Sequence, residues 1–465
     1  MKNTILTSPI FSFLPIVVFL FVIKSNVYAQ YKLEIPNGKV IEVVQCIDSP
    51  NQSYAAYIPS YYHEEKEWPV IYFFEPMARG KLPISKYAKV AEQNGFILIG
   101  SNNSKNGPII EGQIAFEAMT EDTERRLNIN PNQIYVSGFS GGGRFAQLLA
   151  NDNPSITGVI AVAGPRLDPK DEIRGNYLYF GIVGTRDMNY IEHLEFKDLL
   201  DEHKIKNVLL TYVGPHQWPP TSLFESAMSW LQIQHRLDEV SPGEVDKYIN
   251  LELTKLDSRQ DLAPSEKYTY LEAIDKSILP IENHNLDKRI QTYLANKDLT
   301  KILSRSKKSN RKEVESYEEI SKALQQLKIC AYNENIPLDS TAYSFSWWQA
   351  RIKSLQKASK KEGEKADAAA RTLDVIRGQV FGVILRNDAA NNLNHQLLVG
   401  EIQLMLYPEA VSLLWSQSVL YAKVNNRNKS LQYLKKAKTS DLDGLNNLRA
   451  KSSTDTQQFP YLFND

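Results

Sequence analysis

Two cysteines, Cys46 and Cys330, are all that a chain of 465 residues contains. That is too few for a disulfide framework, and their spacing is not that of a zinc site. Whether they bridge is left open, because sequence spacing does not fix a Cα separation; two buried free thiols are the simpler expectation. Histidine is also scarce, with 7 scattered along the chain, so no metal cluster and no cofactor is implied. No excess of either charge exists: Lys plus Arg and Asp plus Glu are 54 each. That balance excludes the basic footprint of a nucleic-acid binder. A phosphate-binding loop is missing as well, since the glycine run at 141–143 is not followed by Lys-Ser or Lys-Thr. Long apolar runs are limited to Ile10–Ile23, interrupted by Ser12 and Pro15, which is short for a membrane span.

That run has the layout of an export signal. Lys2 supplies the positive start, and the polar stretch after the run ends in Val27-Tyr28-Ala29, with small residues three and one positions before Gln30. Residues 1–29 are therefore expected to be removed, leaving a periplasmic or secreted chain with no stable membrane span. Removal of Lys2 and Lys24 turns the mature chain slightly acidic. An uncleaved N-terminal anchor is the alternative; no cysteine stands at the cleavage site to carry a lipid.

The rest of the chain has 42% hydrophobic and 10% aromatic residues, enough for real cores, and its length suggests two or three domains. Strand-like runs rich in Val, Ile, Tyr and Phe occur at Val40–Cys46, Ser53–Ile58, Pro69–Phe74, Phe96–Ile99, Gln133–Ser137, Thr157–Ala163, Tyr177–Val183 and Val208–Val213. Amphipathic stretches fall between most of them, at Ile84–Asn94, Ile114–Leu127, Gly142–Ala150 and Tyr190–His203, with a last one at Thr221–Gln234. Alternation of this kind predicts an α/β domain over residues 30–237, a doubly wound, mostly parallel sheet with helices on both faces. The first two strands have no helix between them and are expected to be antiparallel.

Composition changes near Ser241-Pro242-Gly243. Lys, Glu, Gln, Leu and Ala then dominate to Asp465, predicting a separate all-helical region over 238–465. Its charged runs, Lys301–Lys312 and Lys353–Lys365, read as solvated helix faces. Near 411–465, Leu414, Val419, Tyr421 and Ala422, a turn at Asn425–Asn428, then Leu431, Leu434 and Ala437 suggest a tetratricopeptide-like helix pair. No 34-residue period precedes it, so an irregular bundle is equally open.

The chemistry concentrates in Gln133-Ile-Tyr-Val-Ser-Gly138-Phe-Ser140-Gly-Gly142-Gly. This is G-x-S-x-G between a strand and a helix, where a nucleophile sits on a sharp turn and its neighbours must lack side chains. Ser140 is the expected nucleophile. It requires a base, and the base an orienting carboxylate, in the order serine, acid, histidine. His193 and His203 fall within a predicted helix, whereas His216 follows the strand Val208–Val213 in Gly214-Pro-His-Gln-Trp218. Loops at strand carboxyl ends are where ligands gather in open α/β sheets, which selects His216. By the same argument Asp187, in Gly184-Thr-Arg-Asp187 after Tyr177–Val183, is preferred to Glu192 and Asp201.

Two N–H groups must meet the developing oxyanion. Gly141 is the first. The second should come from the loop Phe74-Glu-Pro-Met-Ala-Arg-Gly80; Pro76 has no N–H, leaving Met77 or Glu75, with Met77 preferred. Trp218, Asn103 and Arg79 are the candidate substrate contacts, each with a structural alternative.

On these motifs the segment from about Gln45 to His235 resembles the α/β-hydrolases, in particular the esterase branch with polyhydroxybutyrate depolymerase-like and feruloyl esterase-like enzymes. The resemblance implies hydrolysis of carboxylic esters through an acyl-enzyme, without a cofactor; it does not carry the substrate over, and a small-molecule or polymer-linked ester is the expectation. It covers under half of the chain. A peptidase of the same fold and a non-catalytic binding protein, its helical half recruiting a protein partner, remain open readings.

Overall fold

The computed structural model describes residues 35–166, 172–237, 239–260, 262–278, 281–332, 341–387, 393–451 and 458–463. The export signal expected at 1–29 lies outside them. Eight strands form one sheet: β1 (Val40–Gln45), β2 (Ser53–Tyr57), β3 (Trp68–Phe74), β4 (Ile97–Ser101), β5 (Ile129–Phe139), β6 (Gly158–Val162), β7 (Leu178–Gly184) and β8 (Asn207–Tyr212), in the order β1-β2-β4-β3-β5-β6-β7-β8. β1 and β2 are antiparallel, as is β2 to β4, and β3 runs parallel to both β4 and β5. Thr157 accepts from Leu178 N–H, and Ala163 N–H donates to Ile182, so β6 and β7 advance together. This is the α/β-hydrolase fold, mostly parallel, followed by an all-helical region.

Among the described residues five helices accompany the strands: α1 (Lys81–Asn94), α2 (Ile109–Arg126), α3 (Gly141–Asp152), α4 (Tyr190–Glu202) and α5 (Thr221–His235). Ten more follow among the described residues: α6 (Pro242–Ser258), α7 (Pro264–Ile278), α8 (His284–Leu294), α9 (Lys297–Tyr332), α10 (Phe345–Ser359), α11 (Glu364–Asn387), α12 (Leu393–Leu406), α13 (Val411–Lys423), α14 (Arg427–Ser440) and α15 (Leu442–Lys451). Among the described residues no helix is long and apolar enough to cross a membrane. The chain divides into two compact units. One holds the described residues of Met1–Ala161, Arg166–Tyr179 and Pro220–His235; the other holds Val162–Pro165, Phe180–Pro219 and Arg236–Asp465. That division groups β7, α4 and β8 with the later helices, whereas the composition change falls near residue 241.

Every residue of β3, β4 and β6 is buried. Their continuous apolar runs are what a parallel strand covered on both faces requires. Side chains alternate along a strand, so neighbours Phe73 and Phe74 serve opposite faces. Phe73 stacks on Phe224 of α5, which stacks on Tyr87 of α1 at 4.0 Å. Phe74 meets Phe116 of α2 and Phe145 of α3 edge-on, the latter at 4.9 Å. On α2, buried Asp122 and Arg126 pair at 2.8 Å, and Asp122 also takes the Tyr54 hydroxyl and Ile47 N–H. Both cysteines are free and buried. Burial, with the Asp122 charge adding and Arg126 opposing, pushes the Cys46 thiol up to about 12.

In the second unit one core joins α9 to α12 through Ile320, Leu324, Trp348, Ile352, Ile376 and Ile402. Another joins α12 to α15 through Leu397, Leu414, Val419, Leu434, Ala437 and Leu445. The expected helix pair is present as α13 and α14, but Leu431, expected inside, is exposed. Tyr421 and Tyr433 stack across the pair, and both hydroxyls donate to Glu401 Oε1, at 2.7 and 2.6 Å.

Candidate active site

β5 ends at Phe139 and α3 begins at Gly141, so Ser140 alone makes the turn from strand to helix. It does so at φ 54°, ψ −119°, a conformation that costs a non-glycine residue about 1–3 kcal/mol and persists only where the surroundings enforce it. The flanking glycines show how. A Cβ on Gly142 would stand 2.1 Å from the Phe74 carbonyl oxygen, and one on Gly138 would stand 2.2 Å from Gly142 O. Backbone therefore occupies the space that side chains would need. The Ser140 carbonyl accepts from Gly143 and Arg144 N–H at 3.0 and 3.1 Å, which starts the helix. Gly141, the first helical residue, carries its N–H at the positive end of the α3 dipole.

The loop after β3 is organised by Glu75, whose side chain is 1% exposed. Its carboxylate accepts Met77 N–H at 2.8 Å, Arg79 N–H at 3.3 Å and the Arg79 guanidinium. Burial alone would push the Glu75 carboxyl up. The Arg79 hydrogen bond, followed by the two N–H groups and the Arg79 charge, outweighs burial and holds the carboxyl below its usual range. Met77 therefore does not fit its expected role of second oxyanion donor: its N–H is taken by a carboxylate and its side chain is exposed. The Glu75 N–H is the one near the elbow, 3.3 Å from where a Cβ on Gly142 would stand.

Two of the three expected substrate contacts in this region have structural work. Arg79 pairs with Glu75. Asn103 accepts Ser53 N–H at 2.8 Å and donates to Asn51 O at 3.1 Å, tying the end of β4 to the start of β2. Sequence reasoning missed Asn106. Its N–H donates to Pro76 O, and its amide oxygen lies 2.0 Å from where a Cβ on Gly141 would stand. The side chain thus covers Gly141, the first helical residue after Ser140, and its one signal in the sequence was its place three residues after Asn103.

In the second unit, the loops after β7 and β8 interlock. Thr185 N–H donates to Tyr212 O at 2.8 Å and Arg186 N–H to Gly214 O at 3.0 Å. A Cβ on Gly184 would stand 2.2 Å from Gly214 O, so only glycine permits this approach. The structure brings Asp187 to His216: Nδ1 lies 2.9 Å from Oδ2 and 3.0 Å from Oδ1. Asp187 is fully buried, His216 is half-buried, and Asp187 Oδ1 also accepts Asn189 N–H at 2.8 Å. An Nδ1–H held on a carboxylate leaves Nε2 as the basic nitrogen. The alternatives lie elsewhere: His193 is buried on α4, His203 Nδ1 is 2.9 Å from Leu199 O, and Asp201 pairs with Lys197 and Asn207. Trp218, two residues past His216, is buried, as a packing residue would be.

No family model matches this chain, and no curated protein matches it. Solved structures do. A fluorophosphonate-binding serine hydrolase of Staphylococcus aureus is 11% identical over 42% of this chain and 99% of its own, with a TM-score of 0.34. The S-formylglutathione hydrolase of Staphylococcus aureus is 13% identical over 42% and 98%, with a TM-score of 0.34. The feruloyl esterase module of Clostridium thermocellum, complexed with sinapinate, is 15% identical over 42% and 88%, with a TM-score of 0.34. Identities this low carry no residue role to this chain.

Proposed function

We propose that the chain is an exported serine hydrolase that cleaves carboxylic esters through an acyl-enzyme on Ser140, and that it lies in the polyhydroxybutyrate depolymerase-like and feruloyl esterase-like branch. The observation that carries this reading is the strained Ser140 turn, at φ 54° with backbone packed against both flanking glycines. Strain of that kind has a use where a hydroxyl must project from the end of a strand.

In this reading Ser140 Oγ attacks the ester carbonyl while His216 Nε2 takes its proton. The Nδ1–H of the resulting imidazolium stays on Asp187. Gly141 N–H and Glu75 N–H receive the oxyanion. His216 returns the proton to the leaving alcohol, leaving an acyl group on Ser140. Water, deprotonated by the same nitrogen, then releases the carboxylic acid and restores Ser140. No cofactor enters these steps. The mature chain is proposed to begin at Gln30 in the periplasm or outside the cell, which N-terminal sequencing of the exported protein tests directly.

The deciding experiment is hydrolysis of short-chain p-nitrophenyl esters by the mature protein beside Ser140→Ala. Activity that falls by on the order of 10⁴-fold or more in the variant is the expected result. Equal background rates in both would remove the esterase reading. Labelling of Ser140 by a fluorophosphonate would then favour a peptidase, and no labelling a binding protein.

A further inference from the structure

The helical region reaches the loop that carries Asp187. Arg371 of α11 and Glu313 of α9 are 2% and 3% exposed and form a two-pronged ion pair, Nε to Oε1 at 2.7 Å and Nη2 to Oε2 at 2.5 Å. The remaining arm of the guanidinium, Nη1, donates to the carbonyl of Thr185, two residues before Asp187. The same guanidinium lies over the ring of Tyr190, three residues after Asp187, at 4.5 Å. One helical turn earlier on α11, Asp367 accepts from Arg186 Nε at 2.7 Å. Three of the residues flanking Asp187 are thus gripped by one helix. From the other side, Thr185 N–H donates to Tyr212, the last residue of β8, and Arg186 N–H to Gly214 of the His216 loop.

Stability alone is a weak reason for such an arrangement. A buried ion pair often contributes no more than apolar residues of similar volume would. A rigid fork that satisfies a carboxylate and a backbone carbonyl together is something only arginine provides. The carbonyl chosen belongs to the short turn between β7 and α4 that presents Asp187. In catalysis, misplacing a group by about 1 Å can cost on the order of 10²-fold.

We infer that Arg371 is a positioning residue. Held by Glu313, it fixes the Thr185–Tyr190 turn so that Asp187 orients His216, which makes the helical region part of the catalytic apparatus rather than an appended module. The inference rests on the hydrolase reading for its consequence on turnover, but the orientation of His216 can be read without turnover.

Two variants of the full mature chain test it. The double substitution Arg371→Met with Glu313→Leu removes the pair together, so neither charge is left buried alone, while the Thr185 carbonyl loses its donor. Arg371→Lys keeps the charge but cannot span the carboxylate and the carbonyl at once. The double variant is expected to lose about tenfold or more in kcat on a p-nitrophenyl ester with KM within twofold. Its pH–rate profile should shift on the acid limb, and the low-field Nδ1–H proton resonance of His216 should move or broaden. Arg371→Lys should show the same changes in smaller measure. Wild-type kcat, pH profile and His216 resonance in the folded double variant overturn the inference. The same result in Arg371→Lys overturns it even if the double variant does not fold. A wild-type protein without esterase activity whose His216 resonance still responds to Arg371→Lys removes the hydrolase reading and leaves the positioning role standing.

Discussion

Asp187 holds the Nδ1 side of His216 at 2.9 and 3.0 Å through both carboxylate oxygens, in full burial, while Oδ1 also accepts the Asn189 N–H. An asparagine at this position preserves shape but offers an NH₂ where His216 needs an acceptor, which favours the tautomer with its proton on Nε2. Asp187→Asn is therefore expected to fold normally and to lose kcat on the order of 10⁴-fold, with KM little changed. Steady-state kinetics beside a melting curve check it; near-wild-type kcat would remove Asp187 from its proposed role beside His216.

Gly142 and Gly378 make opposite predictions for the same substitution. At Gly142 a Cβ meets the Phe74 carbonyl oxygen at 2.1 Å, which is backbone at the end of the buried strand β3 rather than the tip of a flexible side chain. Gly142→Ala should destabilise by about 1–3 kcal/mol and reduce activity further by displacing Ser140. At Gly378, exposed within α11, nothing lies within 4 Å of the added atom. Gly378→Ala should stabilise by about 0.5–1 kcal/mol through helix propensity. Urea unfolding of both variants distinguishes a packing requirement from a general tolerance of alanine.

The eight strands and the first five helices overlap the stretches where sequence periodicity places them, although β5 and α2 begin earlier, and all but β1, none of whose residues is buried, bury a run that local pattern already declares. Ser140 was legible for the same reason: its elbow needs glycine on both sides, and glycine is visible in a sequence. Asp187 and His216 could be paired by chain order and strand ends. The choice between Met77 and Glu75 as the proposed second oxyanion donor could not be made, because it turns on where the buried Glu75 carboxylate directs its oxygens. Asn103 and Arg79 had side chains suited to a ligand, yet their partners, Ser53, Asn51 and Glu75, were legible only once the loops were folded. Arg371 gave no sign of its role, since its partner Thr185 lies 186 residues away.

The loop around Glu75 should make part of the stability pH-dependent. Its carboxyl is held below the usual range in the folded state, so folding is favoured by the charged form. That contribution is fully present above the ordinary carboxyl value of 4.5 and disappears as the pH falls through the lower folded value. Glu75→Gln removes the charge at every pH. The stability gap between wild type and Glu75→Gln should therefore be widest near neutrality and close progressively below about pH 4.5. Parallel urea titrations at pH 7 and at stepped acid pH measure it. A gap independent of pH would mean that the Arg79 and Met77 contacts do not depend on the Glu75 charge.

Leu431 and Leu434 test how the α13–α14 pair is held together. The buried residues of α14 are Ser430, Tyr433, Leu434 and Ala437, the i, i+3, i+4, i+7 stripe of a helix with one face inward. Each residue turns the helix by about 100°, so Leu431 lies roughly a third of a turn from that stripe and is 40% exposed, while Leu434 is 4% exposed. Leucine identity alone would rank them as equals. Burial predicts that Leu434→Ala costs about 2–5 kcal/mol, through lost transfer energy and a cavity among Leu414, Val419 and Leu445. Leu431→Ala should stay within about 0.5 kcal/mol of wild type. Equal losses at both positions would mean that Leu431 is covered in solution by something that binds this face of the pair.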